Sequence, residues 1–302
     1  MMSKSSLLFT GATGFLGNNI LPLLQEKYDV DTLALDENAN YNVNLVKDDI
    51  ILRKEYDIVL HAAGKAHVVP KSDAEIKLFY DINLEGTKKI CEALEKSRIP
   101  KSFIFISTVA VYGCEIGDLI DETHPLNGDS PYADSKKQAE VFLQEWCEKN
   151  NVVLTILRPS LLAGKNPPGN LGDMIKGIKT GRYLSICGGQ SRKSVAMAED
   201  IAKVVPICEN KGGIFNLCDS YQPTFHELEE LISKQLGKSN PLNVPYWIAI
   251  CMAKIGDLLG KKAPINTYKL QKITKDLTFS NEKIKRELGY EPTDVLSNFK
   301  IY

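Results

Sequence analysis

Ser6-Leu-Leu-Phe-Thr-Gly11-Ala-Thr-Gly14-Phe-Leu-Gly17 is entered by an apolar run and left by an apolar pattern at helical spacing, with three glycines at the join. The stretch reads as strand, turn, helix. Small residues suit a place where a dinucleotide pyrophosphate approaches the backbone and sits at the positive end of the following helix. On this reading Gly11 makes the turn, Gly14 admits the phosphates and Gly17 lets helix meet sheet, with Thr13, Phe15 and Leu16 completing the binding turn. The spacing is G-x-x-G-x-x-G rather than G-x-G-x-x-G, so the triplet leans on its context. Asp36 supplies that context by closing the next apolar run, Val30 to Leu35, where a carboxylate accepts hydrogen bonds from an adenosine ribose. No Lys or Arg lies between Lys27 and Lys47 to neutralise a 2′-phosphate, which favours NAD over NADP.

The 302 residues, 43% hydrophobic and 25% charged, suffice for a full core and little more than one typical domain. A formal charge of −1 with both signs well mixed gives no long-range attraction to nucleic acid or an anionic membrane, and disfavours both as partners. Seven cysteines without a C-x-x-C pair suggest neither a disulfide framework nor a zinc site, and no metal is expected. A reduced, cytoplasmic setting fits, and Met1-Met-Ser-Lys-Ser-Ser passes into the first strand without the apolar region of an export signal. Tyr246 to Leu259 is apolar, but Lys254 and Asp257 interrupt it and it falls short of the ~20 residues of a bilayer span. It is expected to be a buried helix.

Further along, Asn44 to Val46 is expected as a short third strand, followed by Asp57-Ile-Val-Leu-His61. Asp49, beside Ile50, is placed either to meet an adenine amino group or to cap a helix. His61-Ala62-Ala63-Gly64 ends its strand with small residues, where a backbone passes close to a flat ring; His61 itself reads as a satisfied strand-end histidine. Apolar positions at helical spacing predict a long helix from Asp73 to Ser97, with Pro100 beyond it and Asn83 inside it. A mid-helix Asn competes with the backbone unless something uses its side chain. Phe103 to Ser107 is the next buried strand, Tyr112 to Ser130 a loop, and Pro131 a helix start. Strands alternating with helices give an α/β chain with a doubly wound parallel sheet. After the strand Leu154 to Arg158 the order loosens, and Gly213 to Leu217 looks like a strand returning to the sheet, so a smaller second lobe is interleaved. Thr224-x-x-Glu227 opens a helix with a reciprocal capping pattern, and Ser280 to Leu288 opens a last one.

Tyr132 and Lys136 lie four residues apart and hence on one face of the helix beginning at Pro131. A phenol with a pKa of ~10 is a poor acid–base catalyst at neutral pH, and a nearby ammonium is expected to pull it toward the working range. Lys136 also reaches toward cofactor ribose hydroxyls. Thr108 sits past the end of the fifth strand, at the sheet edge that holds ligands, where its hydroxyl either polarises a substrate oxygen or caps the strand; Ser107 beside it reads the same way.

The glycine turn, Asp36, His61-Ala-Ala-Gly64, Asn83, Ser107-Thr108, Tyr112-Gly113 and Tyr132/Lys136 together resemble the extended short-chain dehydrogenase/reductase superfamily, and within it the nucleotide-sugar epimerases and reductases. The resemblance covers nearly the whole chain. It implies a Rossmann domain over 1–158 with the returning strand near 213–217, and residues 159–302 as mainly a substrate-binding α/β lobe. It implies NAD as cofactor, a nucleoside-diphosphate sugar as substrate, and Thr108, Tyr132 and Lys136 as the catalytic triad; the oligomeric state is left open, a homodimer being one option. Asn83 then joins the proton network, Asp36, Asp49 and Ile50 hold the adenosine half, Ala62, Ala63, Gly64 and Ser107 lie along the cofactor, and Pro159 and Ser160 of Arg158-Pro-Ser160 sit beside the nicotinamide. Asn170 of Pro168-Gly-Asn170-Leu171 and Arg192 of Arg192-Lys-Ser-Val195 contact the diphosphate; a guanidinium fork suits two phosphate oxygens, while a solvated surface Arg remains the plain alternative.

Sugar 4,6-dehydratases of this superfamily carry an Asp-Glu pair after the catalytic hydroxyl residue, and this chain has Val109 and Ala110 there, which disfavours dehydration. His67 resembles 4-keto-sugar reductases of surface-polysaccharide synthesis more than glucose-type epimerases, or is a loop residue. The expected activity is a hydride transfer at sugar C4 with Tyr132 as acid–base, as an epimerase or a 4-keto reductase. A non-catalytic NAD-binding regulator is the contrasting class, which has no need of a tuned phenol.

Overall fold

The expected strand and helix are β1 (Ser6–Thr10) and α1 (Phe15–Lys27), joined through Gly11 at φ +78°, where a Cβ would lie 2.6 Å from Ala63 N. A computed structural model describes residues 4–66, 68–259 and 265–301. His67 lies outside the described residues. Along the chain follow β2 (Asp29–Ala34), β3 (Tyr41–Asn42), β4 (Ile58–His61), α2 (Asp73–Tyr80), a π turn (Asp81–Glu85), α3 (Gly86–Ser97), β5 (Ser102–Ile106), β6 (Gly117–Ile120), α4 (Pro131–Asn150) and β7 (Val153–Pro159). Then come β8 (Leu161–Ala163), α5 (Gly169–Lys179), β9 (Leu184–Ile186), β10 (Val195–Met197), α6 (Ala198–Cys208), β11 (Gly213–Leu217), α7 (Phe225–Leu236), β12 (Leu242–Val244), α8 (Tyr246–Leu259), α9 (Thr267–Thr274), β13 (Leu277–Phe279), α10 (Glu282–Leu288) and α11 (Val295–Asn298).

Seven strands form one parallel sheet in the order β11-β7-β5-β4-β1-β2-β3. Both faces are covered, as a parallel sheet requires. Leu7, Phe9, Leu60 and Ile104 pack toward Ile20 and Leu24 of α1 and Val204 and Val205 of α6. The alternate positions Leu8, Val59, Phe103 and Phe105 pack toward Ile90 and Leu94 of α3 and Leu143 and Trp146 of α4. The strand order reverses between β1 and β4, so their C-terminal ends part and leave a crevice. β11 returns beside β7 with Gly213–Leu217 in register with 155–159, and three two-stranded sheets (β8/β10, β9/β12, β6/β13) lie outside the main one.

Three expectations are corrected. The third strand is Tyr41–Asn42, not 44–46, because Asn44 Oδ1 accepts the Val46 and Lys47 amides at 3.0 and 3.3 Å and turns the chain. The loop 112–130 contains β6, whose partner β13 lies far away in sequence. The helix at 246–259 exists, but it is only partly buried: Ala249, Ala253 and Gly256 are covered, Ile248, Ile250 and Met252 are half-buried, and Trp247, Ile255, Leu258 and Leu259 face out. The capping box at Thr224 is present in full. Among the described residues no helix is long and apolar enough to cross a membrane.

Candidate active site

The crevice between β1 and β4 opens into a cleft of about 450 Å³. Its floor is Gly11, Thr13 and Gly14 with Ala62, Ala63 and Gly64, and its walls are 33–35 and 43–47. The N-terminus of α1 meets it at Gly14, with no side-chain cap and no acid in the first turn, so the helix's positive end is left for an anion. Gly17 faces the other way, since a Cβ there would stand 2.1 Å from Ala12 O. A Cβ on Gly64 would meet Asn83 Oδ1 at 3.1 Å and Lys136 Nζ at 3.2 Å, closing the cleft toward α4. Residue types and shape therefore fit a dinucleotide.

The adenosine end differs from expectation in detail. Asp36 follows the wall residue Leu35, and its Oδ1 accepts from the Asn38 amide at 2.8 Å and the Asn38 side chain at 3.1 Å, so its second oxygen remains for a ribose. Asp49 is exposed and does not line the cleft, and Ile50 buries its side chain in the core with Leu45 and Tyr41. The wall there is Val43 to Lys47, which the turn at Asn44 presents and which the sequence reading missed. Phe15 and Leu16 continue α1 beyond the turn, half-buried.

Asn83 lies in the π turn, fully buried. Its Oδ1 accepts from the Lys65 amide at 2.7 Å, and its Nδ2 donates to Lys65 O at 3.2 Å and Ser135 Oγ at 2.9 Å. One side chain thus ties the loop after β4 to α4 beside Lys136. The Asn83 carbonyl accepts from Thr87 Oγ1 at 2.7 Å, so Thr87 in turn accepts from His61 Nε2, at 2.8 Å. His61 Nδ1 then accepts from Thr10 Oγ1, whose lone pair takes the Ala63 amide. His61 is a neutral bracket for the cleft floor. Burial, with Lys136 nearby, pushes it down to about 3.

Tyr132 starts α4, half-buried, near Thr108, which is placed just past β5 and accepts the Ala110 amide at 3.1 Å. Lys136 is 4% exposed; its ammonium donates to Ile106 O at 2.8 Å and lies 4.5 Å from the Phe105 ring centre. Burial lowers it to about 8, opposed by Glu140. The expected lowering of Tyr132 by Lys136 is not found. Burial raises the phenol, and the influence that opposes it is the Thr108 hydroxyl. The lysine's charge is spent on a backbone carbonyl and a ring face instead.

Below this pair lies a buried network that the sequence reading did not assemble. Glu140, one turn after Lys136, accepts from Ser107 Oγ and, at 3.1 and 2.6 Å, from Arg158 Nε and Nη2. Arg158 Nη1 donates to Tyr112 Oη at 3.0 Å, and Tyr112 donates to Asn216 Oδ1 of β11 at 2.7 Å. The signal was available: Arg158 ends an apolar strand and Glu140 sits mid-helix, and charges so placed need partners.

Pro159 is buried at the end of β7, and Ser160 Oγ is buried without a hydrogen-bond partner among the described residues, an orphan group that a bound ligand's polar atom would satisfy. Asn170 is exposed in the first turn of α5, whose N-terminus has no side-chain cap. Arg192 is not a lone cation. Its Nε and Nη2 reach Asp276 Oδ2 at 2.9 and 2.7 Å, and Nη2 also reaches Asp118 at 3.0 Å.

A family model described as the NAD dependent epimerase/dehydratase family matches residues 7–218. The chain is 27% identical over 301 residues to the N-acetyl-alpha-D-glucosaminyl-diphospho-ditrans,octacis-undecaprenol 4-epimerase of Escherichia coli O157:H7, covering 93% of this chain and 89% of that protein. To the UDP-glucose 4-epimerase of Vibrio cholerae it is 25% identical over 314 residues, covering 96% and 92%. A solved UDP-glucose 4-epimerase of Thermus thermophilus in complex with NAD superposes with a TM-score of 0.70 at 18% identity, covering 95% of this chain and 94% of that one; it shares the fold.

Proposed function

The chain belongs to the NAD-dependent epimerase/dehydratase family, and from that premise we propose that it is a 4-epimerase of a sugar carried on a diphosphate, with a nucleoside-diphosphate sugar as substrate. The observation that carries this reading is the placement of Thr108 and Tyr132 next to each other, with buried Lys136 one turn along α4, at the C-terminal end of β5. Gly11, Gly14 and the first turn of α1 hold the cofactor's diphosphate, the walls 33–35 and 43–47 with Asp36 hold its adenosine half, and Ser160 and Lys136 stand at its nicotinamide half. Bound NAD supplies the hydride acceptor and donor. Tyr132 exchanges the proton of the C4 hydroxyl, Thr108 holds that oxygen in line with the phenol, and Lys136 keeps positive charge beside both. Asn170, at the uncapped start of α5, and Arg192 meet the substrate's diphosphate. Val109 and Ala110 stand where the superfamily's dehydratases carry an Asp-Glu pair, which disfavours dehydration.

The relative from E. coli favours a second carrier for the same sugar chemistry, a polyprenyl diphosphate. Purified protein incubated with UDP-, dTDP- and GDP-sugars, their 4-keto forms and a polyprenyl-diphosphate sugar tests all of this by product mass. An inverted product of unchanged mass supports the epimerase; a gain of two hydrogens makes it a 4-keto reductase, and no turnover with any sugar returns the regulator class.

A further inference from the structure

We propose that the hairpin of α8 and α9 docks the protein, in plane, on an anionic bilayer surface. This goes beyond the substrate assignment and does not rest on it. α8 is inverted with respect to an ordinary surface helix. Its covered positions, Ala249, Ala253 and Gly256, are small and follow at i, i+4, i+7, while Trp247, Cys251, Ile255, Leu258 and Leu259 form a stripe on the opposite side. Leu258 is 88% exposed and Trp247 69%. A helix held on α9 and Val244 by its small residues and by half-buried Ile248, Ile250 and Met252, with Trp247, Ile255, Leu258 and Leu259 turned to water, leaves an apolar stripe whose burial something else must supply. Leu242 extends the patch: it shares a strand face with Val244 and is itself exposed, as is its register partner Leu184.

Charge decides the occupant. The chain as a whole is at −1, yet over the described residues 246–259 and 265–275 Lys254, Lys272 and Lys275 outnumber Asp257, and Asp276, next along the chain, is paired with Arg192. Glu115 reaches Lys272 at 3.5 Å, and positive charge stays in excess. Lys254 lies within the apolar stripe, seven residues after Trp247, where its stem lies on apolar surface while the ammonium reaches phosphate oxygens. An apolar stripe with a Trp and interspersed lysines is the composition of an interfacial helix, whereas a protein partner would call for a matched acidic or polar rim. The net charge of the whole chain averages this local excess away.

Trp146 is buried and Trp247 exposed, so emission reports the hairpin. The full chain should float with phosphatidylcholine/phosphatidylglycerol vesicles, lose that binding in high salt, and blue-shift its emission on adding them; pure phosphatidylcholine should bind far less. Leu258→Glu and Lys254→Glu should each weaken anionic-vesicle binding roughly tenfold or more while leaving circular dichroism and NAD binding unchanged. No flotation with anionic vesicles, or equal flotation of wild type and Leu258→Glu, overturns the proposal. So does a dimer by sedimentation that Leu258→Glu dissociates in the absence of vesicle binding, which assigns the patch to a second copy. Loss of turnover on the sugar panel with vesicle binding retained removes the activity assignment and leaves the docking surface standing.

Discussion

Arg158 and Arg192 are each gripped by carboxylates, and the contrast in their surroundings separates the sheet-end half of the molecule from the outer half. Arg158 is 3% exposed against Glu140 at 0%, with a tyrosine and a serine completing the hydrogen bonds. Burial pulls the guanidinium down, but the bonds to Glu140 more than offset this and it ends raised. Arg192 is 41% exposed between Asp276 and Asp118, where water screens every charge. The same pairing is structural capital in one place and exchangeable in the other. The proposed site around Tyr132, Thr108 and Lys136 stands on the first kind, while the segments proposed to meet a substrate or a surface are built on the second.

The sharpest way to test the rigid half is at the reacting face. Tyr132→Phe removes the proposed proton carrier and keeps the ring that packs 6.4 Å from Phe79. Turnover should fall ~10²–10⁴-fold with NAD affinity within about twofold of wild type. Turnover near the wild-type rate would take Tyr132 out of the mechanism.

Next in size is the support beneath it. Glu140→Ala leaves Arg158 buried and unpaired and releases Ser107, which precedes Thr108, and should destabilise the fold by about 3–5 kcal/mol in chemical denaturation. A loss under about 1 kcal/mol would show that water or Tyr112 takes over the charge and that the two arginine clusters do not differ in kind. Glu140→Gln, which keeps the shape, should fall between.

His61 gives the same half a pH signature. Its folded value is depressed, so between about 6.5 and about 3 the unfolded chain binds a proton that the folded chain refuses, and stability is lost as pH falls through that window. The slope from this one group is about 1.4 kcal/mol per pH unit near pH 5. Unfolding curves of wild type and His61→Gln at pH 7 and pH 4.5 measure it. Equal losses in the two proteins would mean that carboxylates alone set the acid limit.

Much of the fold was legible because its signals are local. Gly11, the capping box at Thr224 and the apolar run 213–217 each state their role within a few residues. What escaped depends on neighbours distant in sequence: β6 needs β13, the Glu140–Arg158–Asn216 chain crosses from α4 to β7 to β11, and the phenol's raised pKa reflects burial that no spacing encodes. α8 was read as buried because apolar composition alone does not say which side of a helix is covered. Its small residues at 249, 253 and 256 were the sign that the inner face is the narrow one.

The smallest expected effect is at Arg192, and it decides whether the exposed cluster does more than hold β13 to its neighbour. To meet a diphosphate, the guanidinium must loosen its hold on Asp276 or Asp118, so the gain is the difference between two charge-assisted contacts rather than one whole contact. Arg192→Ala should therefore raise the KM for the sugar diphosphate only about two- to fivefold, well short of the tenfold or more that a lone guanidinium would show, with stability changed by no more than about 1 kcal/mol. Asp276→Asn provides the converse: it takes away the competing charge, and if Arg192 serves the substrate the KM should fall. If instead both variants leave KM at the wild-type value and shift only Tm, Arg192 is a brace for Asp276, and the diphosphate is met by Asn170 and the start of α5 alone.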